Sequence, residues 1–352
     1  MRPAQATWLN PALALVACVA AGALFSFMRV PLPWMIGPLV VMAACNFGGA
    51  GLRAPRGGRA IGQLVIGTAL GLYFTPVVAR EVALHWPLLI ASAVIAVLLG
   101  VLGGWVLARV SGADRVTSYF ASVPGGATEM MLLGERFHAR PDRVALAQSL
   151  RIVIVVIVVP FALTYSGAHG TDTRTPGAAA FDASALAMLL ALAAAAGWLL
   201  SRTRIPNPWM FGPLALVIAL TASDVHFSAV PVLLTNAAQV LLGCAIGARF
   251  ERRSLQSAPR YVAGVLFSVM VTIVAAVAVA AAIALAADLP VATLVLAMAP
   301  GGLAEMCITA KVLQLGVPLV TAAQVSRIVV LILATGPLFR AARALGARVR
   351  SS

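Results

Sequence analysis

Four charged side chains lie inside otherwise apolar stretches of this sequence. They are two glutamates and two arginines, Glu129, Glu305, Arg151 and Arg327. An ionisable side chain in a membrane-spanning segment is costly, and it commonly marks the path of an ion or a solute. The carboxylates could carry protons or coordinate a cation, and the arginines favour an anion. The structural alternative is that each glutamate only neutralises an arginine and so holds the chain together.

Both glutamates follow a Pro-Gly-Gly sequence that interrupts an apolar run. The two motifs comprise Pro124, Gly125 and Gly126, and Pro300, Gly301 and Gly302. A helix that restarts after the second glycine would direct free backbone N–H groups and its positive dipole end into the interior. Because such a helix end favours an anion, the two breaks predict a site for a small anionic solute, coupled to a proton or to a cation such as sodium.

These motifs belong to a duplication that runs through the chain with an offset of 176 residues, half of the 352. At that offset Gln148 precedes the first buried arginine by three residues, as Gln324 precedes the second. We expect both amides to lie on the arginine face of their helices and to contact the solute. The predicted organisation is a first repeat over 1–165, a linker over 166–182 and a second repeat over 183–352.

A second motif, Pro-Trp-Met-x-Gly-Pro-Leu, opens one apolar segment in each repeat. Its prolines predict an irregular or kinked first turn, and its tryptophans are also typical of a membrane interface. The predicted kink residues are Pro33, Trp34, Gly37, Pro38, Pro208, Trp209, Gly212 and Pro213. A third duplicated pattern, Gly67-x-x-x-Gly71 and its copy from Gly243, predicts close packing between helices.

The composition places these motifs in a membrane protein. Of all residues 61% are hydrophobic and 10% are charged, and long uncharged runs recur, so the chain is predicted to be polytopic and helical with the lipid bilayer as partner. The net charge of +14 does not indicate nucleic-acid binding, because the arginines are distributed between apolar segments as membrane topology requires. The four cysteines lie in apolar segments, and we expect inert thiols.

Charge distribution decides between two topologies. If every segment crosses the membrane, Lys and Arg are divided almost equally between the two sides. If each Pro-Gly-Gly segment enters and returns on one side, 19 of them fall on one side and 4 on the other, as expected when the charged side is cytoplasmic. The predicted fold is an all-α polytopic membrane protein of two inverted repeats, each with about five transmembrane helices and one broken or re-entrant segment. Both termini are predicted to be cytoplasmic.

The duplicated Pro-Trp-Met-x-Gly-Pro-Leu and Pro-Gly-Gly-x-x-Glu-Met blocks resemble the AbrB family of bacterial inner-membrane proteins. The resemblance covers nearly the whole chain and implies a tandem duplication of one membrane domain. Proteins of that family are labelled as regulators of gene expression and as ammonia monooxygenases, and they are also proposed to be transporters. Nothing here resembles the short soluble DNA-binding regulator of the same name.

The residues help to sort these labels. A metal-dependent monooxygenase needs clustered ligands, whereas His85, His138, His169 and His226 lie apart and outside the spans, so we expect no enzyme, no metal and no cofactor. Two function classes stay open: a secondary transporter working by alternating access, and a membrane sensor that affects gene expression indirectly. The absence of a long soluble output segment favours transport. The sequence allows a homo-oligomer without predicting its interface.

Overall fold

The computed structural model describes residues 6–168, 170, 181–203, 205–225, 227–250, 258–287 and 289–331. No strand occurs among these residues, which confirms the all-α prediction. The described helices are α1 (Ala6–Phe27), α2 (Pro33–Phe47), α3 (Gly58–Gly71), α4 (Pro76–Leu84), α5 (Trp86–Ser111), α6 (Arg115–Ser122), α7 (Ala127–Glu135), α8 (Pro141–Tyr165), α9 (Ala183–Ser201), α10 (Pro208–Ala222), α11 (Val232–Gly247), α12 (Pro259–Ala287), α13 (Val291–Met298), α14 (Leu303–Val312) and α15 (Val317–Leu331). Most of the predicted linker, and both chain termini, lie outside the described residues.

Five of these helices, α1, α5, α8, α9 and α12, are long and apolar enough to cross a bilayer. Four shorter apolar helices, α2, α10, α11 and α15, occur among the described residues as well. Large apolar side chains such as Leu13, Val274 and Leu285 stay exposed on the outer surface, where lipid replaces the water that would make such exposure unfavourable. The chain is therefore a multi-pass membrane protein.

The apolar run over residues 60–78 reads as one membrane span in the sequence but folds as parts of two helices. α3 ends at Gly71, α4 begins at Pro76, and their axes differ by 91°. The restart has a local cause: Thr75 caps α4 by accepting a hydrogen bond from the Val78 backbone N–H at 3.5 Å, and Pro76 has no N–H to continue the preceding helix. Hydrophobicity alone did not reveal this bend.

Each Pro-Gly-Gly segment folds as a helical hairpin with the motif at its tip. In the first, α6 and α7, the Arg140 backbone N–H after α7 donates to Thr117 Oγ1 at the start of α6, at 2.9 Å. In the second, α13 and α14, a Cβ atom placed on Gly316 would lie 2.9 Å from Thr293 Cγ2. Each segment thus returns to the side from which it began, as the re-entrant alternative predicts.

The two hairpins open at opposite ends of α8. The first leads directly into the start of α8 at Pro141. Beyond the other end of α8, the Gly170 backbone N–H donates to the Leu313 carbonyl at 3.0 Å, immediately after the second hairpin. Opposed hairpins are what an inverted duplication requires, although the inversion of the complete repeats stays a prediction.

The helices form two groups, and each group draws on both halves of the chain. In the first, which we call the scaffold bundle, α1, α2 and α3 pack with α9, α10 and α11. In the second, the hairpin bundle, α5 to α8 pack with α12 to α14, and α15 joins through Ala323, which clusters with Leu89 of α5 and Ala297 of α13. Matching helices of the two repeats therefore come together in space.

The duplicated glycine pairs lie where the scaffold helices cross. A Cβ atom on Gly67 of α3 would lie 2.7 Å from the Met210 carbonyl oxygen of α10, and one on Gly243 of α11 would overlap the Met35 carbonyl of α2. Each glycine pair therefore packs on the Pro-Trp helix of the other repeat. The predicted packing role of these glycines is confirmed.

The kink residues serve the same packing. α2 and α10 begin at Pro33 and Pro208, each after a residue in the left-handed conformation, Leu32 (φ 51°) and Asn207 (φ 50°). Pro38 and Pro213 stay inside continuous helical residues. The irregular backbone thus precedes the helix, whereas the sequence placed it in the first turn.

The remaining residues of the Pro-Trp motif contact the preceding helix. A Cβ atom on Gly37 would lie 2.7 Å from the Ala21 carbonyl oxygen, and one on Gly212 would lie 2.6 Å from that of Ala196. Trp34 and Trp209 lie against glycines of α1 and α9, because a Cβ there would come within 2.7 Å and 3.0 Å of their rings. These tryptophans therefore anchor helix pairs.

We expect Gly67→Ala and Gly243→Ala to destabilise the protein by about 1–3 kcal/mol each, since the added methyl group meets a backbone carbonyl that cannot move away. Thermal unfolding in detergent measures the effect. Gly48→Ala is a matched control, because its nearest neighbour would be an ordinary contact at 3.4 Å. Equal melting temperatures for all three variants would contradict the close crossing.

Candidate functional site

The two hairpin tips bring the end of one short helix next to the start of another. α6 ends at Ser122 and α7 begins at Ala127, while α13 ends at Met298 and α14 begins at Leu303. The carbonyl groups at the end of each first helix, and the N–H groups at the start of each second helix, have no partner within their own helix. The side chains around the tips show how those groups are satisfied.

The glycines of each motif leave room for two side chains of the following helix. A Cβ atom on Gly125 would lie 2.6 Å from Met130 Cε, and one on Gly301 would lie 2.8 Å from Met306 Cε. None of the four motif glycines has positive φ, so their role is steric. In the Pro-Gly-Gly-x-x-Glu-Met pattern, the side chains of the methionine and the glutamate therefore both fold back over the glycines at the hairpin tip.

Each glutamate folds back over the N-cap glycine of its own helix. Glu129 and Glu305 occupy the third position after the N-caps Gly126 and Gly302. A Cβ atom on either glycine would overlap the carboxylate of its glutamate. A carboxylate at this position is stabilised by the positive end of the helix.

The buried arginines bind the opposite ends of the breaks. Arg151 Nη1 donates to the carbonyls of Ser122 and Val123 at 3.2 and 3.1 Å. Arg327 donates from Nη1 to Ala299 at 2.6 Å and from Nη2 to Gly301 at 2.8 Å. A cation is favoured beside unpaired carbonyls at a helix C-terminus. Each helix break thus has a carboxylate from its own hairpin at the positive helix end and a guanidinium group from the next helix, α8 or α15, at the negative helix end.

The glutamines have a different position from the one predicted. Gln148 and Gln324 share a helix face with the arginines, as expected, but both are fully buried. Gln148 Nε2 donates to the Phe120 and Val123 carbonyls at 2.8 and 2.9 Å, and Gln324 Nε2 donates to the Leu296 carbonyl at 2.7 Å. The broken helix ends therefore use the amide N–H groups, and contact of these amides with a solute stays a prediction.

The glutamates and arginines do not form ion pairs with one another. An ion pair between two described residues, Arg140–Asp142 at 3.4 Å, lies on the surface and involves none of the four. The structural alternative, in which each glutamate neutralises an arginine, is therefore not what the structure shows. The helix breaks themselves supply the compensating partial charges.

The two glutamates and two arginines nevertheless line one cavity, which lies between the scaffold bundle and the hairpin bundle. Its volume is about 430 Å³. Nine of the twelve predicted solute-site residues line it: Pro124, Gly125, Gly126, Glu129, Arg151, Gly301, Gly302, Glu305 and Arg327. Pro300, Gln148 and Gln324 do not, and neither do the predicted kink residues.

The scaffold side of the cavity carries functional candidates that sequence reasoning missed. Arg59, Arg249 and Asn207 line it, as does Arg136 at the end of α7. Asn207 Oδ1 accepts hydrogen bonds from Arg59 Nη2 at 3.3 Å and from Gln63 Nε2 at 3.2 Å. From the sequence, these arginines were interpreted only as charges that set the membrane topology. For the positive φ of Asn207, the sequence offers only the proline that follows it.

These added arginines lie at or beside helix ends, and Arg59 and Arg136 are exposed, so we infer that the cavity opens to the surface beside them. Arg59 is at the start of α3, and Arg136 and Arg249 follow the ends of α7 and α11. Burial, and to a smaller degree the nearby Arg59 guanidinium, lower the pKa of Arg249 to about 10. Arg249 therefore keeps its positive charge at neutral pH.

The cavity walls combine this charge with apolar surface. Five arginines and two glutamates line the cavity, so positive charge exceeds negative charge. Met210, Phe211 and Leu242 of the scaffold face Leu132 and Ile328 of the hairpin bundle. The arrangement suits a small anion with an apolar part.

The sequence model of the family described as "Transition state regulatory protein AbrB" matches residues 34–343 of this chain. The chain belongs to the AbrB family. The resemblance noted from the duplicated motifs is thus confirmed, and the match includes both hairpins. Two similar proteins span nearly the same length. "Uncharacterized protein YhjN" of Bacillus subtilis is 28% identical over 91% of this chain and 90% of its own. "Putative regulator AbrB" of Escherichia coli is 24% identical over 89% of this chain and 90% of its own.

Proposed function

We propose that this AbrB-family protein is a secondary transporter of a small organic anion that works by alternating access. The observation that carries the proposal is a cavity between the two bundles, with both hairpin tips and both buried arginines on its wall. Irregular backbone at membrane depth is stable only where protein covers it or where it lines a cavity. Broken helices that meet between inverted repeats are typical of secondary transporters.

The lining indicates the substrate class. The guanidinium groups of Arg151 and Arg327 favour a carboxylate, and each keeps a buried Nε–H that no described residue accepts. The apolar wall from Met210, Phe211 and Leu242 favours an apolar body. The proposed substrate is therefore an organic anion with one or two carboxylates, moved together with a proton or a cation, and the proposed activity includes no catalysis.

The charges of the cavity lining support one orientation. Arg59, Arg136 and Arg249 line the cavity, and all three belong to the arginine-rich side that the positive-inside rule assigns to the cytoplasm. We propose that the cavity opens to the cytoplasm of a bacterial inner membrane. Both termini would lie on that side, with the halves 1–165 and 183–352 as inverted repeats.

The topology can be tested by labelling single cysteines in intact cells. Ser166 is exposed just beyond α8 and Arg56 is exposed in the loop before α3. We expect Ser166→Cys to react with an impermeant thiol reagent added outside, and Arg56→Cys to react only after lysis. Cys45, the only native thiol that is not buried, is replaced by serine in both. Labelling of Ser166→Cys only after lysis would reverse the proposed orientation.

A membrane sensor is the second candidate, and the printed name of the Escherichia coli relative, "Putative regulator AbrB", favours it. The cavity would then bind an anion and signal through a partner. The two candidates differ in one observable, because a transporter moves the anion across the membrane whereas a sensor only binds it.

The experiment that tests the proposal uses purified protein and proteoliposomes. Acetate, succinate and benzoate are screened by thermal shift at about pH 6 and about pH 8, where all three are largely ionised. We expect a rise in melting temperature with at least one of them, and time-dependent uptake of it into proteoliposomes. Stabilisation without uptake would favour the sensor. No stabilisation by any of the three would contradict the anion site.

A further inference from the structure

The positive ends of α7 and α14 face the cavity but are already covered. Gly126 and Gly302 line the cavity, and the Glu129 and Glu305 carboxylates lie so close that neither glycine could carry a Cβ atom. Within the described residues, these carboxylates take part in no ion pair. Each glutamate thus occupies the position that an incoming carboxylate would take at the start of its helix.

Independent groups around this position also indicate an anion. Arg151 and Arg327 are 5% and 3% exposed, line the cavity, and each keep Nε unpartnered. Their Nη groups are held by backbone carbonyls of the breaks. An anion that enters would therefore meet fixed donors, with a glutamate carboxylate lying over the helix end beside them.

We propose that each glutamate competes with the substrate anion for its helix end, and that the anion binds together with a proton taken up by the displaced carboxylate. This inference rests on the proposed function and makes the coupling ion a proton. The proton binds a carboxylate oxygen of Glu129 or Glu305 when the anion binds, and it leaves when the anion is released. No covalent bond other than this O–H bond is made or broken, so charge moves only with the anion and its proton.

The surrounding charges explain the linkage. The charged groups that line the cavity with the two glutamates are five arginines from neighbouring elements: Arg59 of α3, Arg136 after α7, Arg151 of α8, Arg249 after α11 and Arg327 of α15. A bound anion adds a negative charge close to the glutamates and offsets part of the positive electrostatic potential of the arginines. It therefore favours the protonated form of the carboxylate. Proton uptake therefore accompanies binding, and the affinity for the anion falls as pH rises.

Calorimetric titration tests this directly. Purified wild-type protein is titrated with benzoate, or with succinate if succinate binds more tightly, near neutral pH in two buffers with different enthalpies of ionisation. The difference in heat gives the number of protons taken up, which we expect to be at least one. The affinity should also fall by about tenfold per pH unit for each linked proton.

The glutamine variants identify the groups that take up the proton. Glu305→Gln and Glu129→Gln remove the competing charge, so we expect each to bind the anion with less proton uptake and a weaker pH dependence than wild type. Glu135→Gln, at the exposed end of α7, should leave both unchanged. Size-exclusion chromatography and melting temperature show that each variant is folded.

The outcomes separate this inference from the function on which it rests. Anion binding by wild-type protein with no proton uptake would overturn the competition and leave the transporter proposal intact. Unchanged proton uptake in the double variant Glu129→Gln/Glu305→Gln would also overturn it. No binding of acetate, succinate or benzoate at any pH would instead overturn the anion site itself.

Discussion

Replacing Arg327 with leucine should lower the stability of the protein by at least about 3 kcal/mol, because the carbonyls of Ala299 and Gly301 would lose their donor in a buried setting. The matching change Arg151→Leu removes the donor from Ser122 and Val123 and should act in the same way. Thermal unfolding and the monodisperse fraction after detergent extraction measure both effects. Arg327→Lys keeps the charge with a shorter reach, and we expect an intermediate loss.

The matched control is Arg56→Leu, which removes an exposed arginine outside the cavity. We expect its stability to stay close to that of wild type. An Arg327→Leu protein that melts with the wild type would mean that the helix ends are satisfied without the guanidinium group.

A double-mutant cycle distinguishes this arrangement from a glutamate–arginine pair. If Glu305 neutralised Arg327, Glu305→Gln would restore part of the stability lost in Arg327→Leu. Since the two side chains bind opposite ends of the hairpin tips and form no ion pair, we expect nearly additive effects. A coupling energy well above about 0.5 kcal/mol would restore the paired interpretation.

The second large effect should come from the cavity mouth. We expect the double variant Arg59→Gln/Arg249→Gln to weaken anion binding by about tenfold to a hundredfold, since charges at an entrance raise the local concentration of an anion and stabilise it once bound. Isothermal titration with the anion that stabilises the wild type measures the change. Arg56→Gln leaves the cavity lining unaltered and should bind as the wild type does.

The residues at the equivalent positions of the other repeat extend this prediction to the two sides of the membrane. At the 176-residue offset, Arg59, Arg136 and Arg249 correspond to Thr235, Val312 and Tyr73, none of which is basic. In proteoliposomes of known orientation, the double variant should therefore raise the apparent KM for substrate offered on the arginine side much more than on the other side. An equal rise on both sides would show that the arginines act deep in the site instead of at its mouth.

The parts of this architecture that the sequence predicted are those fixed by local composition or by duplication. Apolar runs predicted the helices, and the repeated Pro-Gly-Gly-x-x-Glu-Met pattern predicted the breaks and their glutamates. Nine of the twelve proposed solute-site residues line one cavity, because charges inside apolar segments are seldom placed without a role.

The sequence could not indicate features whose contact partners are set by the three-dimensional fold. Gln148 and Gln324 bind backbone carbonyls, and no spacing rule distinguishes such a carbonyl from a solute. Arg59, Arg249 and Asn207 reach the cavity only because scaffold helices from both halves meet there. The 91° bend before α4 depends on a capping threonine followed by proline, a signal too short to outweigh the hydrophobic run around it.

The mixed origin of the two bundles has a consequence for biogenesis. Gly62 and Gly67 of α3 pack against Ala238 of α11 and Met210 of α10, which leave the ribosome long after α3, by about ten seconds or more at ordinary rates of synthesis. During that interval the glycine face of α3 has only lipid or the insertion machinery as its neighbour. If the chain is divided within the linker, we expect the two halves to accumulate when they are co-expressed and to be degraded when each is made alone. Quality control of assembly would then act on the whole duplication and not on either copy.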